Sequence, residues 1–170
     1  MSEFSRMGDI RVITTAPIEL VASADERKAL ARRFDLVAID RLEAVVALER
    51  NGTIVTATGR LSAAIVQSCA VSGEDLPVTI NEPLAFRFAP EGQPMTPDEE
   101  IELDEEACDE IPYSGTAFDI GEAVAQSLIL AVDPYATGPH AEATRAAGIL
   151  GEAASGPFAA LAALKTKPND

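Results

Sequence analysis

The dipeptide Asn51-Gly52 stands between two β-prone runs, residues 43–48 and 53–58, and nothing else in the chain restricts its fold as tightly. Asn-Gly supplies the positive φ angles of a two-residue type I′ turn, whose twist suits a pair of antiparallel strands. The next run, residues 60–71, is dense in Ala, Ile and Val and stops at Ser72-Gly73-Glu74-Asp75, a second turn signal. Residues 77–88 then resume an extended alternation. Four extended runs in succession predict antiparallel neighbours. Residues 10–14, rich in β-branched side chains ahead of Pro17, predict a short first strand.

Two segments carry helix signals. Ser23 precedes Ala24, Leu30, Ala31 and Phe34, which recur near a 3.6-residue period, and Glu26 completes a capping box with Ser23. That helix, 23–34, places Arg27, Lys28, Arg32 and Arg33 toward solvent. Asp119 and Glu122 form a second box, with Phe118 just outside it and Ile120, Val124, Leu128 and Ala131 on one side of a helix 119–131. Asp133-Pro134 ends it, because proline disfavours helix at the residue before it and donates no hydrogen bond. Beyond Pro139 an Ala-rich tail, broken by Gly148, Gly151, Gly156 and Pro157, predicts short C-terminal helices that fray over 166–170. The expected fold is therefore α+β. An antiparallel sheet that can curl toward a barrel carries these helices in a single domain spanning residues 1–165.

The 170 residues suffice for one buried core, yet only 5% are aromatic and none is Trp, so aromatic stacking is set aside as a way of holding exposed bases. The net charge of −15 repels phosphate backbones and anionic lipid surfaces, which makes basic proteins the better partners. That charge is unevenly divided. Residues 1–70 hold nine basic and nine acidic side chains, whereas residues 71–170 hold four and nineteen. A loop near 91–110, punctuated by Pro90, Gly92, Pro94 and Pro97, carries ten acids and no base, and Ile101-Glu102-Leu103 within it suits at most an edge strand. Glu99, Glu100, Glu105 and Glu106 are the candidate contacts for a basic partner, and Arg27, Lys28, Arg32 and Arg33 are candidate local contacts for RNA.

The chemistry-bearing residues are sparse. The single histidine, His140, supports no multi-histidine metal site, and the two cysteines, Cys69 and Cys108, support neither a disulfide framework nor a four-thiolate zinc site. Cys69 lies in an apolar run and is expected to pack as a small hydrophobe, with serine there harsher than alanine through a buried unpaired hydroxyl. Acidic neighbours disfavour a thiolate at Cys108. Gly-rich phosphate loops, H-E-x-x-H, C-x-x-C and the EF-hand ligand pattern are all missing from the sequence. No cofactor, metal or catalytic residue is therefore expected. A hydrolase using some carboxylate pair or Cys69, and a general acidic chaperone for basic proteins, remain as alternatives. No apolar run reaches the roughly 18 residues that cross a bilayer, and the N-terminus lacks a secretory pattern. The expectation is a cytoplasmic protein without membrane contact.

Five ordered pieces, Gly59-Arg60-Leu61-Ser62-Ala63, Gln67-Ser68-Cys69-Ala70-Val71-Ser72-Gly73-Glu74, Ile80-Asn81-Glu82-Pro83, residues 118–126 beginning Phe118-Asp119-Ile120-Gly121-Glu122, and Leu130-Ala131-Val132-Asp133-Pro134-Tyr135, make the chain resemble the YceD family. The resemblance spans roughly residues 9–165. That family is associated with accumulation of large-subunit ribosomal RNA in bacteria and plastids and is often encoded beside a large-subunit ribosomal protein. The resemblance implies a noncatalytic ribosome-biogenesis factor that binds a large-subunit ribosomal protein or a precursor particle, with RNA contact secondary. Gln67, Cys69, Asp119 and Glu122 match the family's motifs without an assigned role, and Gly59 is expected to permit a bulge or tight bend. Where many relatives have further cysteines, this chain has Tyr135-Ala136-Thr137-Gly138-Pro139, so a metal role there has no ligands.

Overall fold

The structure, a computed structural model, describes residues 2–14, 16–91 and 109–147. It divides into two compact units, residues 1–67 with 77–133 and residues 68–76 with 134–170. The fold is α+β.

In the first unit, strands β1 (Met7–Asp9) and β2 (Ile18–Val21) precede helix α1 (Ala24–Arg33). The long strands β3 (Ala38–Asn51), β4 (Ile54–Ser68) and β5 (Asp75–Pro90) follow, then β6 (Asp109–Tyr113), β7 (Ala117–Asp119) and helix α2 (Ile120–Leu130). Five strands form one sheet in the order β2-β3-β4-β5-β6, while β1 pairs with β7. The order is open at β2 and β6, so the described strands do not close into a barrel. No helix among the described residues is long and apolar enough to cross a membrane.

Alternation along the strands builds the core. Leu42, Ala44, Val46 and Leu48 of β3 and Val55, Ala57, Leu61, Ala63 and Ile65 of β4 are buried on one face, with exposed or half-buried neighbours between them. Ile120, Val124 and Leu128 of α2 and Leu30 of α1 join the same cluster. The helix predicted over 119–131 from its cap is α2, Ile120–Leu130, and its apolar side is buried in that cluster.

Several local expectations are corrected, and the runs 53–58 and 60–71 fall in one continuous strand, β4, rather than in two antiparallel neighbours. Asn51 pairs with Ile54, so the two-residue loop is Gly52-Thr53, and Gly52 alone has a positive φ, 64°. A glycine at the first central position is the type II′ arrangement, not type I′ with Asn51 in the loop. The first strand is Met7–Asp9, ahead of the predicted 10–14, because the Asp9 side chain accepts from the Arg11 N–H and winds Ile10–Val12 into a 3-10 turn. Finally, β6 runs parallel to β5, pairing Phe86 with Asp109 through Pro90 with Tyr113, so the sheet is mixed. A parallel return needs a connection of about a dozen residues or more, and positions 91–108 supply it.

Gly59 serves differently from expectation. The β3–β4 register is continuous there, Val46 opposite Gly59, and the irregularity lies between Ile39 and Arg41. A Cβ at Gly59 would stand 2.0 Å from the Val45 carbonyl oxygen, so close backbone approach requires glycine. The Ile101-Glu102-Leu103 step, Cys108, the tail beyond residue 147 and the frayed 166–170 lie outside the described residues.

Candidate functional site

The motif Asp119-Ile120-Gly121-Glu122 opens α2 and fastens the N-terminal segment to it. Asp119 caps the helix, its Oδ1 accepting from the Glu122 N–H at 3.1 Å and also from the Arg6 N–H at 2.8 Å. The Ile120 N–H donates to the Arg6 carbonyl at 3.0 Å. Gly121 is needed because a Cβ there would lie 2.3 Å from the Phe4 carbonyl oxygen. Phe4 itself is fully buried, with the Arg6 guanidinium 4.6 Å from its ring centre.

Glu122 leaves the expected box half-formed. Its carboxylate accepts from Ser2 Oγ at 2.5 Å and from Arg33 at 2.6 and 2.9 Å, and Arg33 also pairs with Glu3 at 2.9 Å. Glu26 completes the box on Ser23 and takes Arg6 in a two-pronged ion pair at 2.7 and 3.0 Å. Phe4 and Arg6 were not singled out by sequence reasoning, and Gly121 entered only as part of the family-like piece 118–126. A glycine inside a helical pattern was the available signal.

Hydrogen bonds from Arg33 and Arg6 hold the carboxyls of Glu122 and Glu26 at about 2, below their ordinary 4.5. A depressed carboxylate contributes stability in full above its unfolded value and loses it as pH falls through the folded one. Amide protection factors over residues 2–9 are therefore expected to decline between about pH 4.5 and 2, and Glu122→Gln to flatten that decline.

Three of the four basic candidates meet at one groove. Arg27, Lys28 and Arg32 of α1 line it with Ala24, Ala31 and residues 36–40, enclosing about 410 Å³. Arg27 is oriented by donating to the Ala22 carbonyl at 2.8 Å, while Lys28 and Arg32 are exposed. Arg33 instead turns to Glu122 and Glu3. Gln67 is buried and satisfied, its Nε2 donating to the Asp133 carbonyl at 2.7 Å. Glu99, Glu100, Glu105 and Glu106 lie outside the described residues.

The second unit is organised around Cys69. The backbone N–H groups of Ser72 and Gly138 both donate to Sγ at 3.3 Å, and the thiol is buried. Hydrogen bonding from the Ser72 side chain, then from those N–H groups, lowers its pKa to about 6. Glu74 accepts from Ser72 Oγ at 3.1 Å and the His140 N–H at 3.0 Å, and pairs with His140 Nδ1, which raises the histidine's pKa. This geometry sets a different expectation for serine at Cys69, since a hydroxyl oxygen finds two donors waiting. Cys69→Ser is expected to be milder than Cys69→Ala, which strands both N–H groups at about 1–3 kcal/mol each if they stay dry; denaturant midpoints check the order.

Among the described residues no group of three His, Cys, Asp or Glu side chains is placed to hold a metal ion. No curated protein and no solved structure matches the chain. Residues 57–165, more than half of the chain, match the family model described as the large ribosomal RNA subunit accumulation protein YceD. The matched stretch holds Gly59, Gln67, Cys69, Asp119 and Glu122, and the chain belongs to the YceD family.

Proposed function

We propose that the protein is a noncatalytic, cytoplasmic factor in large-subunit assembly that supports accumulation of large-subunit ribosomal RNA by holding a basic ribosomal protein or a precursor particle. The family description supplies the ribosomal role. The observation that carries the binding mode is the charge division, nineteen acidic against four basic side chains in residues 71–170. Screening at physiological salt acts over about 8 Å, so only acids brought near the partner contribute, and they chiefly raise the rate of encounter.

The test is a variant carrying Glu99→Gln, Glu100→Gln, Glu105→Gln and Glu106→Gln, which keeps side-chain size and removes four charges. Its association with purified basic large-subunit proteins is expected to be slower at low salt and to converge on wild type as salt rises. Equal rates at low salt contradict the reading. Equal competition by unrelated basic proteins favours a general acidic chaperone instead, and turnover of a substrate by the purified protein favours the hydrolase.

A further inference from the structure

We propose that the groove between α1 and the start of β3 is a contact site for RNA backbone phosphates, an inference that rests on the ribosomal-RNA role proposed above. Three cations, Arg27, Lys28 and Arg32, line it against one carboxylate, Asp40. Among the described residues neither Lys28 nor Arg32 forms an ion pair, whereas Arg6, Arg11, Arg33, Arg41 and Arg87 all do. These side chains are therefore not consumed in holding the fold. Arg27 is already oriented by the Ala22 carbonyl.

The rest of the lining points to the backbone of the ligand. Ala24, Ala31, Leu36, Val37, Ala38 and Ile39 are apolar and none is aromatic, so the groove offers no ring on which a base stacks. Cations over an aliphatic floor suit phosphates approached at contact distance. The net charge of −15 repels RNA elsewhere on the molecule, which limits the contact to a short stretch of chain. The groove lies upstream of residues 57–165, outside the family-matched region.

The experiment measures binding of the full chain to a labelled mixed-sequence single-stranded oligoribonucleotide by fluorescence anisotropy across a salt series. Three phosphate contacts on a single strand give a log–log salt slope of about −2. The triple variant Arg27→Gln, Lys28→Gln, Arg32→Gln is expected to lose about tenfold or more in affinity and most of that slope. The control triple Arg41→Gln, Arg60→Gln, Arg87→Gln makes the same change in net charge and is expected to stay within about threefold. Lys28→Gln with Arg32→Gln, which leaves the Arg27 bond to Ala22 in place, keeps the test valid if the triple misfolds. Unchanged RNA binding by the groove variants, an equal loss in the control, or stronger competition by a polyglutamate peptide than by RNA overturns the proposal. Failure of the underlying role is seen separately: depletion that leaves large-subunit RNA unchanged removes that role, while depletion that lowers it and is fully rescued by the groove triple removes only the groove.

Discussion

Replacing Phe4 with alanine is expected to cost about 3–5 kcal/mol, the range for truncating a buried aromatic ring. The ring is 0% exposed. The polar contacts around it do not replace it. Pairs such as Arg33 with Glu3 are partly exposed, with about a third of each side chain open to solvent, and water and salt screen them. Without the ring, residues 2–9 lose the apolar anchor that seats their backbone on Gly121. For a chain of this size the loss corresponds to a fall in melting temperature of roughly 10 °C, accompanied by faster amide exchange through β1. Phe4→Leu is expected to recover part of it. A Phe4→Ala variant that melts with wild type would remove the N-terminal segment from the core.

Gly59→Ala is expected to destabilise by at least the overpacking range of about 1–3 kcal/mol. The new methyl group meets the Val45 carbonyl oxygen at 2.0 Å and Val46 Cα at 3.0 Å, both backbone atoms that cannot swing aside. Strands β3 and β4 must therefore part at this point. Gly52→Ala is the informative control, because that position has a φ of 64° but nothing within 4 Å of its Cβ. It costs only the backbone strain of a left-handed alanine, about 1 kcal/mol. Urea denaturation ranks the two variants. If Gly52→Ala is the more harmful, the close strand approach does not govern stability.

What was legible in the sequence was local, and what was hidden depended on distant partners. Ser23 and Glu26 cap α1 as their spacing predicts, because both groups of that box lie within one turn. Asp119 caps α2 in the same way, yet Glu122 is drawn to Ser2 and to Arg33, 120 and 89 positions away. The hairpin was visible at Asn51-Gly52, but strand pairing from Ala38 to Asn51 settled the register one residue later. Cys69 read correctly as buried. Its two N–H donors were split between a neighbour, Ser72, and Gly138, which is 69 positions on. Likewise the four basic residues of α1 looked equivalent, and only the fold separates Arg33, held by two glutamates, from the three at the groove.

The most direct test of the central claim is the ratio of large- to small-subunit ribosomal RNA in cells depleted of the protein, measured beside cells that re-express it. The ratio is expected to fall on depletion, precursor large-subunit particles to accumulate at the expense of mature ones, and wild-type protein to restore both. An unchanged ratio, or an equal loss of both RNAs, would contradict that claim.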